Sequence, residues 1–300
     1  MRRTRVVVVG SANMDLVGAG PTLPRPGETV LGSNFVMMPG GKGANQAVAA
    51  VRAGASCAFL GAIGSDAFGV TLRARITSAG VDTGQLRVVY GASGVALVLV
   101  NAAGENSILV VPGANAAFRE LTEGELDAVR QADVLVTQLE IPVETVTTAA
   151  VAAREAGTRV ILNAAPARQV PAELLTAVDL LVVNETEAQT LTGRGREQPG
   201  ALLDLVPRAV LTLGGQGAWY VDRDGAEVHV PAVEVDVVDS TAAGDAFTAA
   251  LAVAWGEGRP VRDAVRWAAA AGAACVRKLG ASVALPHRSE IDALYTPAAD

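Results

Sequence analysis

The sequence predicts an α/β fold: a doubly wound, mostly parallel sheet flanked by helices, with a small β-sheet lid. Two observations predict it. Short apolar runs of strand length alternate with helical patterns along most of the 300 residues, and two stretches break that alternation with strand material alone.

The first run, "RVVVVG" at residues 5–10, is apolar at every position after Arg5, as a strand covered by helices on both faces must be. "GANQAVAAVRAG" (43–54) follows with a helical pattern, then the strand "CAFLGAIG" (57–64) and the helix "DAFGVTLRARITSAG" (66–80), which Gly80 stops. After an interruption the alternation resumes with the strand "DVLVTQLE" (133–140). The next helix, "PVETVTTAAVAAREAG" (142–157), has Pro142 at its start and Gly157 at its end. "TRVILNAAP", "DLLVVNE" and "RAVLTLG" supply three more buried strands.

The two interruptions are residues 11–40, with "GETVLGSNFVMMPG", and residues 88–111, "VVYGASGVALVLVNAAGENSILVV". Both read as β-hairpin material, with "AAGEN" as a turn. The expected division is a nucleotide- and substrate-binding core of residues 1–10, 41–87 and 112–300, and a β-sheet lid of residues 11–40 and 88–111. Strands from two separated places can pack over the carboxyl ends of the core strands, where open α/β sheets bind ligands. Exposed lid strands also suggest a homodimer paired through the lid.

Half the residues are hydrophobic and the mean hydropathy is +0.34, ample for a buried core. A formal net charge of −7, a pI near 5.0 and no basic block argue against nucleic acid or an anionic membrane as partner. Any anionic ligand must be held locally. Cys57, Cys275, His229 and His287 do not make a four-ligand zinc site, and both thiols read as core residues in a reducing compartment. No run approaches the ~18 apolar residues of a membrane span. The expected location is the cytoplasm.

The chemistry concentrates in three segments. No G-x-x-x-x-G-K-[ST] motif occurs, and "GKGANQ" lacks the last glycine of a dinucleotide fingerprint. In "GSANMD", Asn13 and Asp15 are two apart and face the same way in extended chain, offering an amide and a carboxylate to neighbouring hydroxyls. A polyol suits them, and so does an Asx turn closing the strand. In "PGGKGANQA", glycines allow close backbone approach at a helix start, with Lys42 and Asn45 projecting into one space; a plain loop-to-helix junction has the same look. In "DSTAAGDAF", small residues leave backbone N–H groups bare at a helix start, which makes an anion site. An acid directly behind it, Asp245, makes sense if a proton must be taken from a hydroxyl as it attacks a phosphate.

These motifs in this order resemble the phosphofructokinase-B-type, ribokinase-like carbohydrate kinase family over nearly the whole chain. "LPRPGETV" and "GGKGANQAVAA" resemble its first signature region, "NETEAQTLTG" and "TLGGQGAWYV" its nucleotide side, and "DSTAAGDAF" its second signature; "GENSILVVPGAN" points to the pentose branch. The resemblance implies ATP-dependent phosphorylation of D-ribose at its 5-hydroxyl, giving D-ribose 5-phosphate and ADP. Asp245 would be the base, and the backbone N–H groups of Ala242, Ala243 and Gly244 would hold the transferring phosphoryl group. The helix dipole is expected to keep Asp245 ionised. Asn13, Asp15, Gly41, Lys42, Asn45 and Glu140 would surround the sugar with Asp245.

By the same resemblance, Asn184 and Glu187 would act near the phosphates and hydrated Mg²⁺, although a helix cap with Glu at its third position explains their spacing as well. Thr212, Leu213, Gly214, Gly215, Gln216 and Gly217, with Gly244, would meet ATP. A monovalent cation, K⁺, is implied beside the anion hole, on the carboxylate of Asp239 and the carbonyls of Thr241, Cys275, Lys278 and Gly280. The sequence departs from the family twice. Ala284 stands where serine often completes the cation site, and Ala269 where Asn or His often contacts the nucleotide. Two rival readings remain: a sibling kinase for another pentose or a nucleoside, and a catalytically silent sugar-binding regulator. "PGETV" and "NSILVVPGAN" argue against the first, the intact Asp245 and anion hole against the second.

Overall fold

The computed structural model describes residues 2–196 and 198–297. The chain opens with strands β1 (Arg5–Val9), β2 (Asn13–Ala19) and β3 (Asn34–Gly40), then α1 (Lys42–Arg52), β4 (Ser56–Gly64), α2 (Ala67–Ser78), β5 (Leu86–Val89), β6 (Gly94–Val100) and β7 (Asn106–Val111). The short α3 (Ala114–Ala117) leads into regular alternation: α4 (Glu123–Arg130), β8 (Val134–Thr137), α5 (Val143–Glu155), β9 (Arg159–Asn163), α6 (Ala172–Ala177), β10 (Leu180–Asn184), α7 (Glu185–Thr192) and β11 (Arg208–Thr212). The hairpin β12 (Ala218–Asp222) and β13 (Glu227–Val230) precedes α8 (Ala243–Gly256), α9 (Val261–Val276), α10 (Ala281–Ala284) and α11 (Arg288–Leu294).

Nine strands form one sheet in the order β13-β12-β11-β10-β9-β8-β1-β4-β5, parallel from β11 to β5 and antiparallel at the β12 and β13 edge. Alternate residues of each strand feed two cores. Val6 and Val8 of β1 pack on the side of α1, α8 and α9, while Val7 and Val9 pack on the side of α4, α5 and α6. Behind α8, the buried Trp267 of α9 donates its Nε1–H to Asp292 of α11 across 2.7 Å, tying those two helices together. Truncating such a side chain costs on the order of 3–5 kcal/mol.

The strand order reverses about β1, between β8 and β4, so the crevice predicted for ligands lies at the carboxyl ends of β1 and β8. Over it stands a four-stranded sheet in the order β3-β2-β6-β7, in which β2 pairs antiparallel with β3 and parallel with β6. The expected lid boundary moves at one point. Val88 and Val89 belong to β5 and pair with Ile63 and Gly64 of the large sheet, and the small sheet's second contribution begins at Gly94. Apolar runs at sheet edges read alike from sequence whichever sheet they join. The β12–β13 hairpin was likewise outside the six core strands expected.

Candidate active site

β1 ends at Val9, and the chain crosses to β2 through Gly10, Ser11 and Ala12. At this crossing the start of α1 presses against backbone. A Cβ on Gly41, whose φ is +90°, would meet the Asn13 nitrogen at 2.6 Å, and one on Gly43 would meet the Ser11 nitrogen at 2.6 Å. Only glycine permits this approach, which sets Lys42, Asn45 and Gln46 over the ends of β1 and β8.

Asn13 is buried and held on both sides. Its Oδ1 accepts from Asn115 Nδ2 at 2.7 Å, and its Nδ2 donates to Glu140 Oε2 at 3.4 Å. Asn115 is itself bolted to the crossing, accepting from the Ala12 N–H at 3.0 Å and donating to the Ala12 carbonyl at 3.2 Å. Glu140, just beyond β8, accepts on the same Oε2 from Ser11 Oγ at 2.5 Å and the Lys42 backbone N–H at 3.2 Å.

Asp245 lies in the first turn of α8 and is buried. Both its oxygens are engaged by α1. Asn45 Nδ2 donates to Oδ2 at 3.0 Å, and Gln46 Nε2 donates to Oδ1 at 3.0 Å. Burial pushes the carboxyl up to about 6, against the pull of Lys42 and the two amide donors. The acid is therefore mostly ionised at neutral pH and close to its midpoint, where a general base is most effective.

Asp15, on β2, faces the same space. Burial, then Glu140 and Asp245, push it up to about 7 while Lys42 pulls it down. Burial alone would lower the Lys42 ammonium, but Asp245, Glu140, Glu187 and Asp15 together hold it above its ordinary value. Thus Asn13, Asp15, Gly41, Lys42, Asn45, Glu140 and Asp245 converge at one place, from four separated segments. One buried acceptor there, Asn45 Oδ1, has no hydrogen-bond partner among the described residues. It suits a hydroxyl donor.

At the start of α8, Ala242 has φ +62°, the left-handed region, and no side chain caps the helix. Of the three donors expected in the anion hole, the Ala243 N–H is already 3.2 Å from the Ser240 carbonyl. Farther along the rim, Asn184 and Glu187 form a reciprocal capping box on α7, with Asn184 Oδ1 accepting from the Glu187 N–H at 2.9 Å and Glu187 Oε2 from the Asn184 N–H at 2.8 Å. Burial raises the Glu187 carboxyl, partly offset by that N–H and by Lys42. The capping explanation and a place near phosphates coexist.

Thr212 ends β11 and its hydroxyl donates to the Val183 carbonyl at 3.2 Å; Leu213 to Gly217 then form a tight turn, closed by the Leu213 N–H to the Gly217 carbonyl at 2.8 Å. Gly214, Gly215 and Gln216 at its tip are exposed.

Asp239, Thr241, Cys275, Lys278, Gly280 and Ala284 gather behind the start of α8. Asp239 Oδ1 accepts from the Thr241 N–H and hydroxyl at 2.9 and 2.6 Å, and Oδ2 from the Gly280 N–H at 2.9 Å. Against the opposing effect of burial, these donors hold its carboxyl below the usual range. Lys278 turns its ammonium to Glu290 at 2.5 Å, so only its carbonyl is on offer. Oxygen donors of this kind, carbonyls around one ionised carboxylate, fit a hard cation. Among the described residues no group of three or more His, Cys, Asp and Glu side chains is placed to cage a metal, so a divalent ion fits only as a companion of a phosphate ligand.

Sequence reasoning missed Ser11, Gln46, Asn115, Gln138 and Asn163. Gln46 adjoins Asn45 in "GANQA", inside a motif already singled out.

Comparison with known proteins shows the family. The family model described as pfkB family carbohydrate kinase matches residues 3–288. A ribokinase of Haemophilus influenzae is 38% identical, with 97% of both chains covered. A deoxyribokinase of Salmonella typhi is 36% identical over 82% of this chain and 84% of its own. The structure of Arabidopsis thaliana ribokinase complexed with ribose and ATP superposes with a TM-score of 0.91 at 34% identity, covering 98% of this chain and 99% of that one.

Proposed function

The chain belongs to the pfkB family of carbohydrate kinases, and we propose that it is an ATP-dependent kinase that phosphorylates D-ribose at the 5-hydroxyl, releasing ADP. The observation that carries this reading is Asp245, a buried carboxylate of near-neutral pKa held beside the uncapped start of α8. A carboxylate so placed takes the proton of an attacking hydroxyl, while the positive end of the helix stabilises negative charge on the transferring phosphoryl group.

In this reading Asn13, Asp15, Glu140 and the free Oδ1 of Asn45 hold the sugar hydroxyls, with Gly41 allowing the approach. Lys42 offsets the negative charge of Asp15, Glu140 and Asp245 and faces the phosphate. The Gly214–Gly217 turn and the Asn184–Glu187 start of α7 flank the nucleotide. Mg²⁺ would come in with ATP, with Glu187 as the nearest carboxylate, and supplies charge neutralisation at the phosphates. K⁺ would lie on Asp239 and the carbonyls of Thr241, Cys275, Lys278 and Gly280, adding fixed positive charge behind the anion hole.

A homodimer through the small sheet belongs to the same proposal. On the face opposite Asp15, Met37, Leu16, Leu97 and Leu109 stand in register across four strands, and Met37, Leu97 and Leu109 are 55%, 40% and 61% exposed. An apolar row of this kind marks an interaction surface. No described helix is long and apolar enough to cross a membrane, and we place the enzyme in the cytoplasm, where ATP is supplied and its two free cysteines stay reduced.

The Salmonella relative favours a second reading, a kinase for 2-deoxyribose. Asp15 weighs against it, because a buried acceptor left without its hydroxyl penalises the deoxy sugar. ADP release measured over a panel of ribose, 2-deoxyribose, other pentoses and nucleosides tests both. Ribose should have the highest kcat/KM; preference for deoxyribose or a nucleoside would replace the proposal.

A further inference from the structure

Asp245 receives one donor from Asn45, a residue placed at the sugar, and one from Gln46, which has no part in the proposed site. Gln46 is fully buried and every polar valence of its amide is spent. Nε2 donates one hydrogen to Asp245 Oδ1 at 3.0 Å and the other to Asn163 Oδ1 at 3.1 Å, while Oε1 accepts from Gln138 Nε2 at 2.6 Å. The three partners come from α8, the end of β9 and the residue after β8. An ionised carboxylate only accepts, so the amide cannot turn over without placing oxygen against oxygen at Asp245.

We propose that Gln46 is the positioning residue of the base: it fixes Asp245 in rotamer and charge state through a buried amide relay, Gln138 to Gln46 to Asp245, braced on Asn163. The inference rests on the reading of Asp245 as the base. A carboxylate that shuttles a proton must stay ionised in a buried place, and it must not swing toward Lys42 to form a closed ion pair. One amide on each oxygen meets both needs. Asn45 is exchangeable in this respect, because a sugar hydroxyl competes for the same region; Gln46 is shut away from any ligand.

The charged and titratable groups around Asp245 are Lys42 on α1, Asp15 on β2, Glu140 after β8 and Cys275 on α9. None replaces a lost donor at Oδ1. The acid limb of kcat reports the base in the enzyme–substrate complex, apart from the Asp15 titration that acts through KM, so a weakened base is visible there. For Gln46→Met, which keeps length and loses the donor, that limb should move to higher pH by about one to two units. Turnover at pH 7 should then fall about twofold to tenfold, the gap closing as pH rises toward 9, with ribose KM changed less than about threefold.

Gln46→Glu is isosteric but puts a second carboxylate at Oδ1, and its limb should move farther than that of the Met variant. A packing role predicts the reverse order: the isostere close to wild type and a uniform loss at all pH. Ribose-dependent thermal shift identifies folded variants. Should neither Gln46 variant fold, Gln138→Met withdraws the donor to Gln46 Oε1 and should move the limb in the same direction by a smaller amount. An unmoved acid limb in the folded variants overturns the inference. Failure of wild type on ribose would overturn the proposed substrate instead, and the limb would then be read with whichever acceptor the panel identifies.

Discussion

Asn45 donates its side-chain N–H to Oδ2 of Asp245 at 3.0 Å, joining the first turn of α1 to the first turn of α8 across 200 residues of sequence. The two helix starts meet over the carboxyl ends of the sheet, so the motif that supplies sugar contacts and the motif that supplies the base are one device. Each restrains the other before any ligand arrives, which reduces the reorganisation left for the chemical step.

The first prediction addresses the base itself. Asp245→Asn keeps size and one of the two acceptor oxygens but cannot take a proton. We expect kcat to fall by on the order of 10² to 10⁴ with ribose affinity altered little. Steady-state kinetics with calorimetric ribose binding separates the two. Near-wild-type turnover would falsify the role of Asp245.

The second concerns Asp15, whose pKa near 7 couples sugar binding and stability to pH in opposite directions. Its ionised form is the better acceptor for hydroxyls, so ribose KM should rise about tenfold from pH 8 to pH 6. Stability has the other sign. The folded carboxyl holds its proton at higher pH than the unfolded chain does, so the folded protein binds more protons between about pH 4 and 7 and gains stability as pH falls through that window. The full shift would be worth several kcal/mol; Asp15 itself keeps partial contact with solvent, and screening reduces it to roughly 1–2 kcal/mol. Carboxylates with lowered values, such as Asp239, lose their contribution only below about pH 5 and do not mask the effect. Asp15→Asn should abolish ribose binding strength and also flatten Tm against pH from 8 to 5.5. An equal pH slope in both proteins would refute the assignment.

How much of this was legible in sequence depends on where the signal lies. Alternating apolar runs predicted the parallel sheet because both of its faces are covered, and Val6 to Val9 are buried whichever way they point. The sugar-side residues were legible because they sit in ordered motifs. Ser11, Asn115, Gln138 and Asn163 were not, since each acts on a partner far along the chain and leaves no local pattern. Asn115 sits 102 residues from Asn13, and Asn163 is 117 from Gln46. The raised pKa of Asp245 was not legible for a related reason: desolvation comes from everything packed around the site.

A third prediction tests the small sheet as a moving cover. Closing it over ribose would exclude water and strengthen the electrostatics around Asp245. Amide exchange in residues 13–19, 34–40 and 94–100 should slow on adding ribose, by at least several-fold in β2, which carries Asn13 and Asp15. Exchange in β10 and β11 should not respond. Identical exchange in β2 with and without sugar would remove the lid from the mechanism.

The fourth rests on Ala242, the one non-glycine residue with positive φ among the described residues. A left-handed alanine costs about 1 kcal/mol or more, and a β-branched residue there is worse. Ala242→Gly should therefore stabilise by a few tenths of a kcal/mol, part of the relief being offset by the freer unfolded chain. Ala242→Val should destabilise by about 2 kcal/mol or more. Urea unfolding of the three proteins gives the order Gly, Ala, Val; a Val variant as stable as wild type would mean the turn before α8 has another shape.

The last prediction concerns the cation and the departure at Ala284. Activity should be higher in KCl than in a salt of a bulky organic cation at equal ionic strength, because fixed positive charge behind the anion hole favours the phosphoryl group in transit. Ala284 is fully buried, so Ala284→Ser offers at most one neutral oxygen and should tighten half-activation by K⁺ only modestly. Asp239 differs in kind. Its carboxylate already ties Thr241 to Gly280, so deleting it removes both the charge and the clasp between the turn before α8 and the segment before α10. Asp239→Ala confuses those two losses. Asp239→Asn separates them in part: an amide oxygen still accepts from Thr241, while the Gly280 N–H loses its acceptor and the formal charge is gone. We expect Asp239→Asn to fold with Tm within a few degrees of wild type and to lose the K⁺ response. Equal wild-type rates in the two salts would reduce Asp239 to a structural clasp, and a K⁺ response that persists in Asp239→Asn would place the cation elsewhere.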